Sequence, residues 1–324
     1  MAVKKLNEKI LITLFKPFYD IFKKTLLPLL TEKGFEVVLK IGIPTVDKNI
    51  ILNNIKDVRA FIVCSEFIDK EVLREANKLK IISKLGVGVD NIDLIEAKKR
   101  NIAVTNTPGG NSISVAELVI GMMISLTRQL PISDKKMKIN EWDPYIGSEI
   151  NGKTLGIIGL GNIGKEIIKR LKCFNMKFLA YDIVRNDEFA KRYNVNFVSM
   201  DELIINSDFI TIHVPLNDHT KNMINERELK SMKRNAFVIN TARGGIINEK
   251  ALYNALKRKV IKGAALDVFV EEPTKNVKLV CLKELIATPH IGGTTTDCAI
   301  REGKMAINNI INYFEDREPV YLVI

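Results

Sequence analysis

Apolar runs rich in Ile, Val and Leu recur through the first hundred residues: "ILITLF", "FEVVLK", "AFIVCS", "KIISKLG" and "IAVTNT". Between them lie stretches such as "DKEVLREANK" and "NIDLIEAKKR", whose apolar positions return every three or four residues. Strands spaced at roughly 20–25 residues with amphipathic helices between them predict parallel βαβ units. After "NTPGGNS" (106–112) the pattern changes. "SVAELVIGMMISLTRQL" is apolar nearly all round, which predicts one long, well-buried helix. Asn111 or Ser112 would cap it, and Pro131 would lie beyond its end, before a loop around Trp142. A second alternating series follows: "KTLGIIGLG", "MKFLAYD", "NVNFVS", "DFITIHVP", "AFVINTA", "KGAALDV" and "LIATPH". Residues 295–316 read as a closing helix. The fold class is α/β, with two doubly wound parallel-sheet units joined near Pro108.

Composition narrows this picture only a little. The length of 324 residues suits two domains, and 46% hydrophobic with 27% charged residues suits a packed core. No apolar run approaches the roughly 20 residues that span a bilayer. The N-terminal "MAVKKLNEKILITLFKPFY" places lysines before an apolar stretch, but Lys16 and Pro17 end it and no small-residue cleavage site follows, so a first buried strand is expected. Cys64, Cys173, Cys281 and Cys298 share no CxxC spacing, which argues against zinc and for free thiols in a reducing cytoplasm. The net charge of +11 is spread without a basic block or helix, so nucleic-acid binding is not expected, whereas an anionic small molecule suits the field.

The chemistry starts at "TLGIIGLGNIGKEIIKRL". Gly159, Gly161 and Gly164 form G-x-G-x-x-G between an apolar strand and an amphipathic helix. In that context the first glycine makes the turn, the second admits a pyrophosphate, and the third lets helix and strand approach. Asp182 ends the next strand, where a carboxylate accepts from a ribose and repels a 2′-phosphate. NAD is the expected cofactor, with Arg185 three residues on leaving NADP open.

Ligands of open α/β sheets sit outside the carboxyl ends of the strands. Those ends carry His213 in "IHVP", Arg243 in "NTARGG", Asp267 and Glu272 in "LDVFVEEP", and His290 in "ATPHIGG". A 2-oxo acid needs a bidentate cation for its carboxylate and a proton donor for the oxygen that becomes hydroxyl. Arginine and histidine supply these, and a neighbouring carboxylate favours the protonated imidazole.

These segments resemble the D-isomer-specific 2-hydroxyacid dehydrogenases, and within them the phosphoglycerate dehydrogenases. The resemblance runs from about residue 35 to 318, through "KLGVGVDNIDL", "VTNTPGGNSISVAEL", "GKTLGIIGLGNIGKEI", "FITIHVPL", "INTARGGIINEKAL", "GAALDVFVEEP" and "ATPHIGG". It implies that Arg243, Glu272 and His290 are catalytic. Cofactor contacts would include Gly159, Gly161, Asn162, Ile163, Gly164, Asp182, His213, Val214, Pro215, Thr241, Ala242, Asp267, Gly292 and Gly293. It also implies a Rossmann cofactor domain (108–294) inserted in a flavodoxin-like substrate domain (1–107 plus 295–324). In that picture Gly86, Val87 and Gly88 offer N–H groups to the substrate carboxylate, and Cys64, Ser65 and Lys84 line its other side. Gly244 and Gly245 would let their strand exit beneath the nicotinamide.

Phosphoglycerate dehydrogenases usually read "VRS" and "GRAG" where this chain has "VCS" (63–65) and "SKLG" (83–86). Two arginines for a phosphate are thus Cys64 and Lys84, and lysine lacks the bidentate fork. Phosphohydroxypyruvate, glyoxylate, hydroxypyruvate and other short 2-oxo acids all remain candidate substrates. The resemblance implies a homodimer through about 111–150. An NAD(H)-binding interaction protein, like the co-repressors that share this fold, is the non-enzyme alternative.

Overall fold

The computed structural model describes residues 5–43 and 45–324. The chain divides into two compact units, Met1–Asn111 with Gly293–Ile324, and Ser112–Gly292. The sequence places the crossings at 107/108 and 294/295; the units part at 111/112 and 292/293.

The first unit is a five-stranded parallel sheet. Its strands are β1 (Lys9–Phe15), β2 (Glu36–Gly42), β3 (Ala60–Val63), β4 (Ile81–Lys84) and β5 (Ala103–Thr105), in the order β2-β1-β3-β4-β5. Side chains alternate across a strand, and β1 shows the result. Ile10 and Ile12 enter one core with Phe22, Leu26 and the C-terminal helix residues Ile307 and Ile310. Leu11 enters the opposite core with Phe61, Ile51 and Val72. Asp47, Asp69 and Asp93 each cap a helix by accepting from its first backbone N–H groups, worth about 1 kcal/mol apiece. Because β2 lies on one side of β1 and β3 on the other, the connections part at β1/β3, the switch point where such sheets bind ligands.

The second unit is a seven-stranded parallel sheet in the order β12-β11-β10-β9-β6-β7-β8. Its strands are β6 (Thr154–Ile158), β7 (Lys177–Tyr181), β8 (Val195–Phe197), β9 (Phe209–Ile212), β10 (Phe237–Asn240), β11 (Gly263–Leu266) and β12 (Leu285–Ala287). The order reverses between β6 and β9. Helices Ser112–Arg128 and Asn162–Leu171 cover one face, burying Val119, Met123, Ile167 and Leu171 over Leu155, Ile157 and Ile239. Leu203, Leu229 and Leu252 cover the other face over Ile158, Ile210 and Val238.

One expectation changes here. The long helix stops at Arg128, Gln129 turns at φ +49, and a second helix, Leu130–Lys138, leaves at 63°. Pro131 therefore lies past the end of the long helix, as expected, and also in the first turn of the next one. A proline's missing N–H costs nothing there, and its fixed φ suits the turn. Residues 141–150, with Trp142, are irregular, as the sequence suggests. Among the described residues no single helix is long and apolar enough to cross a membrane.

Candidate active site

β6 ends at Ile158, and Gly159 turns the chain at φ +95. A Cβ on Gly159 would lie 2.7 Å from the His213 carbonyl oxygen, and one on Gly164 would lie 2.8 Å from the Gly159 oxygen. Both must be glycine for the loop to close. Gly161 differs, because nothing lies within 4 Å of its Cβ position. It precedes helix Asn162–Leu171, whose first N–H groups no side chain caps. That is the cradle a pyrophosphate needs. Asp182, just past β7, accepts from Leu160 N–H (2.7 Å) and Val184 N–H (2.9 Å). Each carboxylate oxygen keeps a lone pair for ribose hydroxyls. Thr241 carries a buried Oγ1 with no partner. Open helix terminus, forced glycines and placed carboxylate together fit a dinucleotide.

Of the remaining expected contacts, Ile163 packs against the core and Val214 reaches the glycine loop. The Pro215 carbonyl accepts from Thr220 Oγ1 at 2.6 Å. Asn162 opens helix Asn162–Leu171, and Ala242 lies in the loop after β10. Asp267 is fully buried, and its carboxylate takes three hydrogen bonds: Thr288 Oγ1 (2.6 Å), Ile291 N–H (2.8 Å) and Gly292 N–H (2.8 Å). Its role in the structure is to hold the turn from His290 to Gly292. Gly293 belongs to the first unit.

The expected trio Arg243, Glu272 and His290 converges at the carboxyl ends of β10, β11 and β12. His290 Nδ1 and Glu272 Oε2 are 2.7 Å apart, and Phe269 N–H donates to Glu272 Oε1 at 3.0 Å. Burial raises the Glu272 carboxyl, but the hydrogen bond and charge of His290 outweigh it, and Arg243 adds to them. The net pKa lies below the ordinary glutamate value. Arg243 therefore stands within electrostatic reach of the same carboxylate. The His290 backbone is held at φ +53, its N–H donating to the Asp267 carbonyl at 2.9 Å. His213 cannot share the acid–base role. Burial pushes its pKa down to about 3, and its Nε2 pairs with Thr211 Oγ1 at 2.8 Å.

Sequence reading missed two supports, Asn240 and Thr288, and gave a third, Gly244, a different reason. Asn240, buried at the end of β10, accepts from Ala242 N–H (3.0 Å) and donates to the Arg243 carbonyl (2.8 Å), folding the turn that presents Arg243. Asparagine after a strand is the turn signal that points to it. Thr288 ties β12 to Asp267. Gly244 answers to a neighbouring backbone: a Cβ there would lie 2.0 Å from the Phe269 carbonyl. The glycine is required by the protein's own chain, where the sequence suggests clearance for a nicotinamide.

The expected substrate contacts fall in the first unit. Lys84 is buried, with Nζ donating to the carbonyls of Cys64 and of Leu85 (2.8 Å). Cys64 and Ser65 follow β3, where Glu66 holds the loop by accepting from Cys64 N–H (3.1 Å) and Thr13 Oγ1 (2.8 Å). Gly86 N–H donates to Thr107 Oγ1 at 2.8 Å, which leaves Val87 and Gly88 as the loop's open donors.

Residues 120–292 match the D-isomer specific 2-hydroxyacid dehydrogenase family, NAD binding domain. The chain is 42% identical over 306 residues to D-3-phosphoglycerate dehydrogenase of Methanocaldococcus jannaschii, covering 93% of this chain and 56% of that one. It is 38% identical over 302 residues to glyoxylate reductase of Thermococcus litoralis, covering 90% and 91%. A D-lactate dehydrogenase from Aquifex aeolicus, complexed with NAD and lactic acid, superposes with a TM-score of 0.82 at 29% identity, over 97% of this chain and 98% of that one. The chain belongs to the D-isomer specific 2-hydroxyacid dehydrogenase family. It spans just over half the length of the phosphoglycerate dehydrogenases it matches.

Proposed function

We propose that the chain interconverts a small D-2-hydroxy acid and its 2-oxo acid with NAD(H). The observation that carries this reading is the 2.7 Å His290–Glu272 pair with Arg243 beside it, at the strand ends of a sheet built for a dinucleotide. Bound nicotinamide supplies or removes the hydride at the carbon bearing the oxygen. In reduction, Arg243 binds the carboxylate and polarises the carbonyl, the fork suiting both oxygens. His290 gives the proton from Nε2 to the carbonyl oxygen and recovers it from water. Glu272 holds Nδ1–H, which fixes the ring's orientation and stabilises its charged form. The Val87 and Gly88 N–H groups are the proposed further donors to the carboxylate. The curated relatives include enzymes named for phosphoglycerate and for glyoxylate, so both substrate classes enter the test.

NAD is the proposed cofactor because Asp182 would repel a 2′-phosphate, and the Arg185 guanidinium lies over the Phe197 ring at 5.5 Å. A homodimer through about 111–150 is also proposed. Leu130, Met137, Ile139, Trp142 and Ile146 are exposed there, the last two at 84% and 94%, a concentration of large apolar side chains in one stretch that suits an interface.

The test is oxidation of NADH and NADPH by the pure protein with glyoxylate, hydroxypyruvate and phosphohydroxypyruvate, beside Arg243→Ala. Turnover with NADH is expected, with a loss of about 100-fold or more in the variant. Cofactor binding without turnover of any acid would overturn the enzyme reading and favour an NAD(H)-binding interaction protein.

A further inference from the structure

The loop that carries Glu272 has little packing of its own. Phe269 before it and Leu279 after it are buried in the core of the second unit, but residues 270–273 are all exposed. The Glu271–Lys275 ion pair is exposed as well and contributes little. Hydrogen bonds must therefore hold Glu272 where it meets His290.

The bonds that flank this stretch come from a residue outside the loop. Glu249 is the first residue of helix Glu249–Lys257 and follows Arg243 by six positions. Asn248 caps that helix by accepting from Ala251 N–H at 3.0 Å, so the Glu249 carboxylate is left for the loop. Both of its oxygens are used there. Val270 N–H donates to Oε1 at 2.8 Å, and Asn276 Nδ2 donates to Oε2 at 2.9 Å. One side chain thus ties both flanks of the exposed stretch to the segment that presents Arg243. Asn276 extends the restraint, its N–H donating to Thr274 Oγ1 at 3.2 Å while its own oxygen caps helix Val277–Val280. On the other flank, the amide before Val270 is that of Phe269, which donates to Glu272 at 3.0 Å. Successive amides are therefore divided between two carboxylates, Glu272 on the loop and Glu249 outside it. Glu272 in turn holds His290 at 2.7 Å.

We infer that Glu249 is a positioning residue for the reaction proposed above: by tying Val270 and Asn276 it fixes Glu272 against His290, and it acts only through Glu272. The kinetic consequence rests on that reading of the reaction; the restraint on the loop does not.

Two variants separate reach from charge. Glu249→Asp keeps the charge at the helix start but is one carbon too short to span both donors, whereas Glu249→Gln keeps the reach and an acceptor for Val270 N–H. With NADH and glyoxylate, kcat/KM is expected to fall at least about tenfold in Glu249→Asp and to stay within about threefold of wild type in Glu249→Gln. In a Glu272→Gln background, Glu249→Asp should cost less than about threefold, because the group it positions is already altered. The alkaline limb of the pH profile, where the proton donor is lost, should move to lower pH in Glu249→Asp, since a carboxylate less firmly held favours the charged ring less. Losses that multiply across the two backgrounds, or a Gln variant as slow as the Asp variant, overturn the assignment. Hydrogen exchange of the full chain without cofactor reads the restraint without turnover. The Phe269 amide should exchange at least about tenfold faster in Glu249→Asp, while amides of β10 and β11 keep their wild-type rates. If no acid is reduced, the reaction reading falls and the exchange still decides the restraint. An unchanged Phe269 amide, or a rise shared by β10 and β11, overturns it.

Discussion

Gly244→Ala isolates how closely the reaction centre depends on one backbone crossing. The added methyl would lie 2.0 Å from the carbonyl carbon and oxygen of Phe269, against 3.4 Å for an ordinary contact. The 269–270 backbone must therefore retreat by about 1.4 Å, the difference between those distances. Phe269 N–H donates to Glu272, which holds His290, so the retreat reaches His290, the proposed proton donor, through two hydrogen bonds. A misplacement of about 1 Å costs on the order of 100-fold in rate, and overpacking of this kind costs about 1–3 kcal/mol in stability. Gly245→Ala is the control. Its Cβ meets only ordinary contacts, the nearest at 3.7 Å, and it bears the strain of φ +82 alone, about 1–2 kcal/mol. Urea midpoints should fall for both variants, while kcat/KM with glyoxylate should fall about 100-fold only for Gly244→Ala. Wild-type kcat/KM in a folded Gly244→Ala protein would refute the crossing as the reason for the glycine.

Two further outcomes follow from the geometry. Glu272 has its pKa depressed in the fold, so its stabilisation is complete above the unfolded value of about 4.3 and is lost as pH falls through the lower folded value. Its side chain is 37% exposed, which limits the amount to below about 1 kcal/mol; denaturant midpoints of wild type and Glu272→Gln should converge on acidification, and a constant gap refutes the coupling. For the homodimer, Ile146→Lys is expected to shift the sedimenting species toward monomer with thermal stability of each unit retained, and an unchanged mass removes 111–150 as the interface.

Period and spacing carried the fold a long way. The two-residue alternation that splits Ile10 and Ile12 from Leu11 identifies a strand covered on both faces, and the G-x-G-x-x-G run between strand and helix locates the switch point of the second sheet. Arg243, Glu272 and His290 could be brought together from the sequence because each lies within a few residues of the carboxyl end of a strand. What stayed hidden depends on contacts between segments distant in sequence. Nothing in "NTARGG" says that Phe269 crosses Gly244, and nothing in "LDVF" says that Asp267 already accepts from Thr288, Ile291 and Gly292. Lys84 reads as a cation for a substrate, yet its direction is set by two carbonyls and by Glu302, more than two hundred residues on. Pro131 marks both a helix end and a helix start, and the sequence reading used only the first of the two.

The first unit is drawn from chain on both sides of the second. A ribosome therefore delivers all of the second unit before Ile307 and Ile310 exist to cover Ile10 and Ile12. At about 5–20 residues per second, that sheet face waits roughly 10–40 s for its cover. The second unit, continuous in sequence, has no such delay. Stalled or truncated synthesis thus yields a molecule with a finished second unit and a sheet in the first covered only in part, by Phe22 and Leu26, and the demand for chaperones during synthesis falls on the unit drawn from both sides of the other.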